Sequence, residues 1–360
     1  MKHLTKILFL FIFTLSINAN AQNTIMAKGQ DAELAYNQGV KNFLNQDFAG
    51  AISELTKAIN LKPNFGKAYY NRGVIKNELK DFEGAVSDLS MAVQLLPDMP
   101  KVLFARGFAR VNSSDFVGAI NDFTNAEKAG FNNAKVYYYR GVAKLKLKKY
   151  DDAINDFNIA IKKDDKFAYA YHDRGSALRL KGNLEAAEND YIKTTEINPK
   201  LYFAFNNLGA VKNELKKYDD AINAFSEALK INAEYAPAYN GRGIAKYQQG
   251  IELLSKNDTK KAEKKLNDAM KDFDKAIDFD KSSAIAYNNR GMVKLKLKKY
   301  KDALEDFTHA IKIDNKYAEA YANRGTVKEN LRNFSGACSD WKKAAELGIK
   351  DADKYISDCE

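Results

Sequence analysis

Residues 134–167 read AKVYYYRGVAKLKLKKYDDAINDFNIAIKKDDKF, and the same order of small and large residues returns every 34 residues along most of the chain. In this stretch Gly141 is followed by Ala153, Phe157 and Ala160. The last three residues are spaced by four and three, which places them on one face of a helix. Gly141 and Ala153 have almost no side chain, so two helices can approach closely there. The pattern predicts a helical hairpin.

The pattern recurs in nine repeats, each with its glycine seven residues after the start. The repeats begin at residues 32, 66, 100, 134, 168, 202, 236, 284 and 318. All steps are 34 residues except the step from 236 to 284, which is 48 residues. One hairpin cannot bury its apolar faces alone, so neighbouring hairpins must stack. We therefore predict an all-α repeat protein.

The pattern resembles the tetratricopeptide repeat over residues 32–351, in its period and in the offsets of its glycine and alanines. The resemblance implies a right-handed α-solenoid with a capping helix at 352–360. It also implies that the first helices of the repeats line a concave groove for a protein or peptide. The chain departs from the family at two positions, with Arg before most of the glycines and Lys three residues after them.

The N-terminus has the features of an export signal. Lys2 and Lys6 precede an apolar run at 7–17, and Ala19-Asn20-Ala21 follows as a cleavage site. We expect residues 1–21 to be a signal peptide and 22–31 a linker. The mature chain is then exported and is periplasmic, associated with the cell envelope, or secreted.

Composition narrows the class of protein. The chain is 45% hydrophobic and 29% charged, which is too charged for a membrane-embedded protein and too hydrophobic for a disordered one. We expect no transmembrane span. The net charge of +10 could attract nucleic acid. No base-reading motif is present, however, so we expect no nucleic-acid partner and attribute the charge to solubility or to an acidic envelope component.

Arginine and aspartate vary together across the repeats. In repeat six Leu208 replaces the arginine and Ala224 replaces the acid, whereas Lys212 is retained. We therefore predict Arg–Asp ion pairs between the two helices of each hairpin, with the lysine position independent of them. The alternative is a row of arginines that binds anions. The predicted pairs are Arg72–Asp88, Arg106–Asp122, Arg140–Asp156, Arg174–Asp190, Arg242–Asp272, Arg290–Asp306 and Arg324–Asp340.

Repeat seven, residues 236–283, contains 14 extra residues. Seven residues per helix are close to two turns, so the apolar faces stay in phase. We expect a turn at 256–259 in which Thr259 caps the second helix. The extension is either a solvated pair of helix ends or a basic contact for a partner.

Cys338 and Cys359 are the two cysteines of the chain. Both lie near the last repeat, and an exported protein meets an oxidising compartment. We expect a disulfide between them, with two free thiols as the alternative.

Three residues before each glycine lies the position that the resemblance places in the groove. We expect these residues to contact a partner, or alternatively to fill the space between repeats. The family's binding of C-terminal carboxylates is not supported, because Tyr36 and Val40 stand where its Lys and Asn would be. The row reads Tyr36, Tyr70, Phe104, Tyr138, His172, Asn206, Asn240 and Asn288.

No combination of nucleophile and base, phosphate-binding loop or metal-binding motif is present in the sequence. We therefore expect no catalysis, no cofactor and no metal. The sequence favours a scaffold that binds a protein or peptide in its groove. A self-associating or envelope-attached structural protein and a binder of envelope glycans or polymers remain as alternatives.

Overall fold

The computed structural model describes residues 28–350 and Cys359. The predicted signal peptide, residues 1–21, lies outside the described residues. So does the predicted capping helix at 352–360, apart from Cys359, which is not helical. The first helix begins at Lys28, so residues 28–31 of the predicted linker 22–31 belong to a helix. Within the described ranges the chain is helical and has no strand, which confirms the all-α prediction.

The repeats appear as alternating first and second helices. The predicted starts of repeats two to nine are the first residues of the odd-numbered helices from α3 to α17. In chain order the helices are α1 (Lys28–Leu44), α2 (Phe48–Leu61), α3 (Gly66–Glu78), α4 (Phe82–Leu95), α5 (Pro100–Asn112), α6 (Phe116–Lys128), α7 (Ala134–Lys146), α8 (Tyr150–Lys163), α9 (Ala168–Leu180), α10 (Leu184–Ile197), α11 (Tyr202–Glu214), α12 (Tyr218–Ile231), α13 (Ala236–Ser255), α14 (Thr259–Phe279), α15 (Ala284–Lys296), α16 (Tyr300–Ile313), α17 (Ala318–Asn330) and α18 (Phe334–Glu346).

The chain consists of two compact units, unit 1 at Met1–Ala177 and unit 2 at Leu178–Glu360. In unit 1 each first helix packs against its own second helix and against the first helix of the next repeat, in the order α1, α3, α5 and α7. In unit 2 the helices α11, α13, α15 and α17 pack in the same way. The first helices thus form a layer in each unit. We call the solvent side of this layer the first-helix face.

The repeated glycine holds the two helices of a hairpin together. A Cβ atom added at Gly141 would lie 2.7 Å from the ring of Phe157, and one at Gly73 would lie 2.7 Å from Leu89. Phe157 and Leu89 are fully buried. The large side chain of the second helix therefore occupies the space that the glycine leaves open, which confirms the close approach predicted from the sequence.

Each hairpin turn has three residues, and the middle one has a left-handed backbone. Most of these residues are not glycine, although left-handed φ values cost a residue with a Cβ about 1–2 kcal/mol. Gly182 is the glycine of the series. The other middle residues are Gln46, Lys80, Ser114, Lys148, Lys216, Asn257, Lys298 and Arg332.

The insert of repeat seven continues the hairpin outward. A Cβ atom at Gly250 would lie 3.0 Å from Leu266, and Ala262 is fully buried, so the glycine contact is repeated two turns beyond Gly243. The predicted cap is wrong, because Thr259 is already the first helical residue of α14. Asp258 caps this helix, and its carboxylate accepts a hydrogen bond from the backbone N–H of Lys261.

We expect that deleting residues 251–264 leaves a folded protein. The deletion brings Gly250 to the left-handed turn position and restores the 34-residue period of repeat seven. Gly250 accepts a positive φ without the steric cost that other residues bear. Circular dichroism and a thermal melt of the shortened chain would check this. A broad transition or a loss of helical signal would contradict it, and deleting residues 252–264, which shifts the phase by one residue, provides the destabilised control.

Candidate functional site

Arginine and aspartate meet in direct contact within the hairpins. In repeat two Arg72 donates from Nε and Nη2 to the two carboxylate oxygens of Asp88, at 2.8 and 2.6 Å. The same contact occurs in six repeats, with Nη2–Oδ1 distances of 2.6–2.7 Å. Arg174 and Asp190 lie one in each unit, so their pairing stays a prediction. The pairs in contact are Arg72–Asp88, Arg106–Asp122, Arg140–Asp156, Arg242–Asp272, Arg290–Asp306 and Arg324–Asp340.

The arginine also contacts the preceding repeat. Nη1 of Arg72 donates to the hydroxyl of Thr56 on α2, at 2.9 Å, and Nη1 of Arg242 donates to Ser226 on α12, at 3.0 Å. The guanidinium of Arg72 lies over the ring of Tyr69, 5.6 Å from its centroid. One side chain therefore joins three helices, rather than the two helices that the sequence predicted.

The lysine three residues after the glycine binds the same aspartate, so the prediction that it is independent of the pair is wrong. Lys76 Nζ lies 2.8 Å from Asp88, and Arg110 takes this place beside Asp122 in repeat three. In repeat six, where the aspartate is absent, Lys212 Nζ lies 3.7 Å from Asp220 on α12 and 3.9 Å from Glu188 on α10. Two other carboxylates therefore lie near the lysine where its usual partner is missing.

The predicted groove row divides into buried and half-buried residues. Tyr36, Phe104, Tyr138 and Asn288 are each at most 9% exposed, which supports for these four the alternative that they fill the space between repeats. They fill the space between neighbouring first helices. The half-buried members are Tyr70, His172, Asn206 and Asn240.

Several of the row's side chains form a hydrogen bond to the next first helix. Asn71 donates to the Tyr36 hydroxyl at 3.0 Å, and the Tyr138 hydroxyl donates to Asp173 at 2.8 Å. In unit 2, Asn323 donates to Asn288 at 3.0 Å, and Asn289 donates to Asn240 at 2.9 Å. These bonds explain the burial of the row, because a buried polar group needs a partner. His172 Nδ1 lies 2.8 Å from Asp173, which fixes the orientation of the imidazole.

Sequence analysis missed a cluster of tyrosines on the first-helix face of unit 1. Tyr139 lies on α7 with its ring 5.1 Å from that of Phe108, and Lys101 Nζ is 6.0 Å from the centroid of Tyr70. Six other repeats carry Asn or Asp at the position of Tyr139, and two carry Ala105 and Gly241, so the large aromatic residue was the available signal. We call this cluster the tyrosine face, and its residues are Tyr70, Glu78, Lys101, Phe108, Lys135, Tyr139 and Tyr169.

Burial sets the electrostatics of the tyrosine face. It raises the pKa of Tyr70 to about 12, and it also raises the pKa of Tyr139, to which the neighbouring charge of Glu78 contributes. Burial raises the pKa of the Glu78 carboxyl and lowers that of Lys101 and Lys135. The tyrosine hydroxyls are therefore neutral near pH 7. The face combines aromatic surface with hydroxyl, ammonium and carboxyl groups.

Cys338 on α18 is bonded to Cys359, with a Cα–Cα distance of 5.7 Å. The bond attaches the end of the chain to the second helix of the last repeat. Within residues 28–350 and Cys359, no group of His, Cys, Asp and Glu side chains is arranged to hold a metal ion. None of the helices in these ranges is long and apolar enough to cross a membrane.

We expect Asp88→Ala to lower the free energy of unfolding by about 3–5 kcal/mol, because it leaves the half-buried Arg72 and Lys76 without their carboxylate. The double change Arg72→Leu with Asp88→Ala copies Leu208 and Ala224 of repeat six, so it should cost much less than the two single changes added together. Chemical denaturation of the four proteins in this cycle measures the coupling. Additive costs would show that the pair is not coupled.

Known proteins share this arrangement of repeats. Models of the tetratricopeptide repeat match residues 138–200 and 284–317, and a TPR repeat model matches 211–250. A tetratricopeptide repeat protein from Parabacteroides merdae has 20% identity and a TM-score of 0.57, covering 72% of this chain and 97% of that one. PilF of Pseudomonas aeruginosa has 16% identity and a TM-score of 0.52, covering 62% and 97%.

At these identities the solved structures show a shared fold. No curated protein matches the chain. The family models fall on the repeats that the glycines define, and the helices, their pairing and the 34-residue period agree with them. The chain therefore contains repeats of the tetratricopeptide repeat family.

Proposed function

We propose that this protein is a non-enzymatic scaffold that binds a protein or peptide partner on the tyrosine face of unit 1. The observation that carries the proposal is the set of aromatic side chains that the four first helices α3, α5, α7 and α9 present there. Tyr70 and Tyr169 are half-buried, whereas Tyr139 and Phe108 are 8% exposed and form a rigid base beneath them. Most other aromatic residues of these helices are enclosed between repeats.

Aromatic residues of this kind suit a protein partner. Tyrosine supplies contact area at a low cost in side-chain entropy, and its hydroxyl can bond to a peptide backbone. Lys101 and Lys135, one period apart on α5 and α7, add donors at the edge, and Glu78 adds an acceptor. A chain with alternating apolar and polar groups would find partners for both on this face.

Absence of catalysis is part of the proposal. The acids and cations that are closest together recur in repeat after repeat as Arg–Asp–Lys contacts, as in Arg72, Asp88 and Lys76. A group that six repeats use to join their helices is committed to stability. The family's fold supports a role in protein–protein interaction, and the tyrosine face offers a binding surface.

We expect Tyr70→Ala with Tyr169→Ala to weaken partner binding about tenfold or more, because the change removes two aromatic contacts from the face. Partner capture from an extract of the source organism, followed by titration calorimetry with the captured protein, measures the loss. Tyr150→Ala, on the second helix α8, is the matched control and should bind normally.

Two results would contradict the proposal. Equal binding by the double variant and the wild type would place the partner elsewhere. Light scattering could instead show that the molar mass of the mature protein rises with concentration. If the same double change abolished this rise, the face would bind a second copy of the protein. A monomer at all concentrations is the expected result.

We also propose that the protein is exported through residues 1–21 and acts in the cell envelope or outside it. The charged start, the apolar run and the Ala-Asn-Ala site support this proposal. The bond between Cys338 and Cys359 supports it as well, since disulfides persist in oxidising compartments.

We expect the mature protein to begin at Gln22 and to be recovered outside the cytoplasm. N-terminal sequencing and cell fractionation check both points. A second form of the chain with Ala19→Leu and Ala21→Leu should remain uncleaved, because the small residues of the cleavage site are lost. Recovery of the full-length wild-type chain from the cytoplasm would refute export.

A further inference from the structure

Two hairpin turns of unit 2 contain lysines at positions that are unfavourable for helix stability. Lys216 and Lys298 occupy the left-handed position, each with φ of 59°. Lys217 and Lys299 follow them as N-cap residues of α12 and α16, and neither side chain forms a capping hydrogen bond. An N-cap side chain normally accepts a hydrogen bond, and a cation at a helix N-terminus opposes the helix dipole. Lys216, Lys298 and Lys299 therefore destabilise the turns that contain them, whereas the ion pair of Lys217 with Glu188 offsets its cost.

The same unit contains a turn that obeys the rules. Gly182 occupies the left-handed position, and the Asn183 side chain accepts a hydrogen bond from the backbone N–H of Ala186. The fold thus accommodates Gly-Asn at this place. Two other turns contain a pair of lysines instead, which makes these turns less stable. Residues that are unfavourable for local structure are often retained because they bind a partner.

Charge is concentrated along these turns. The turns between the two helices of each repeat in unit 2 are 181–183, 215–217, 256–258, 297–299 and 331–333, and they contain seven cations and one carboxylate. The loops between repeats, 198–201, 232–235, 280–283 and 314–317, contain three cations and three carboxylates. We call the first set the turn edge. Within unit 2, the turn edge carries an excess of positive charge that the loops between repeats do not have.

Most of this charge is exposed and not neutralised. Lys217 forms an ion pair with Glu188 at 2.7 Å. Carboxylates also lie close to the turns at Asp219, Asp220 and Asp302 on α12 and α16. Among the described residues of the turn edge, these cations form no ion pair: Lys216, Lys256, Lys298, Lys299 and Arg332.

The insert of repeat seven shapes the surface. Its helix α13 has 20 residues, whereas α11 and α15 have 13, so Lys256 projects about 10 Å beyond the neighbouring turns. A flat anionic surface that meets Lys256 would stay about one Debye length away from Lys216 and Lys298. A flexible acidic chain can follow the step and contact all three turns.

We propose that the turn edge of unit 2 binds an extended acidic polypeptide segment. This surface is separate from the tyrosine face of unit 1, so the proposal goes beyond the function described above. Charge complementarity carries it, because unpaired ammonium groups at the tips of successive turns match carboxylates spaced along an unfolded chain.

The test uses the full mature chain and fluorescently labelled poly-L-glutamate in an anisotropy titration. A variant with Gly-Asn in both lysine turns removes four cations while restoring the turn chemistry of Gly182 and Asn183. Lys217→Asn also removes the ion pair with Glu188, so a thermal melt of the variant is needed to separate lost binding from unfolding. The changes are Lys216→Gly, Lys217→Asn, Lys298→Gly and Lys299→Asn.

We expect this variant to bind poly-L-glutamate about tenfold more weakly than the wild type, with a smaller dependence on salt. The control removes four cations outside the turn edge and should bind like the wild type. Equal losses in both variants would overturn the proposal, since net charge alone would then explain binding. The control changes are Lys200→Asn, Lys281→Asn, Lys312→Gln and Lys316→Asn.

Two further probes distinguish other anionic partners. Vesicles of anionic phospholipid and single-stranded DNA are titrated under the same ionic conditions. Stronger binding of either probe than of poly-L-glutamate, with the same sensitivity to the lysine-turn variant, would overturn the assignment to an acidic polypeptide. A negative result in these titrations would not affect the proposal for the tyrosine face, because none of the variants alters unit 1.

Discussion

The contact between a glycine and a large side chain is the constraint on which the rest of the structure depends. It sets the distance between the two helices of a hairpin, as at Gly141 and Phe157. At that distance the arginine before the glycine reaches the aspartate of the second helix. The same arginine then reaches the hydroxyl group of the preceding repeat. Hydrophobic packing within a repeat and polar bonding between repeats are therefore two consequences of one close approach.

Residue spacing predicted the helices well because the same spacing recurs in every repeat. The starts of α3 to α17 follow from a single period, and the loss of Arg and Asp together in repeat six revealed their pairing. The lysine contact was missed because Lys212 lies near two other carboxylates, Asp220 of its own repeat and Glu188 of the preceding one. A lysine that has other carboxylates nearby shows no matched change when the aspartate is lost.

Exposure was harder to predict than position. The residues three before the glycine share one register, yet Tyr138 is buried and Tyr70 is half-buried. The difference depends on what the next first helix presents, such as Asp173 opposite Tyr138. Tyr139 is another departure, since it stands where the other repeats have a smaller side chain and packs beneath Tyr70 and Tyr169. Departures from the repeat indicated the candidate site better than its regular positions did.

The insert of repeat seven has a consequence for how such a molecule can evolve. Gly250 and Leu266 reproduce the contact of Gly243 and Phe273 after seven residues in each helix, because seven residues return a side chain nearly to the same azimuth. Lengthening by an increment far from a whole number of turns would rotate the apolar stripe away from its partner. A solenoid of this kind can therefore grow along two independent coordinates. Whole repeats extend it lengthwise, and paired heptads widen it sideways.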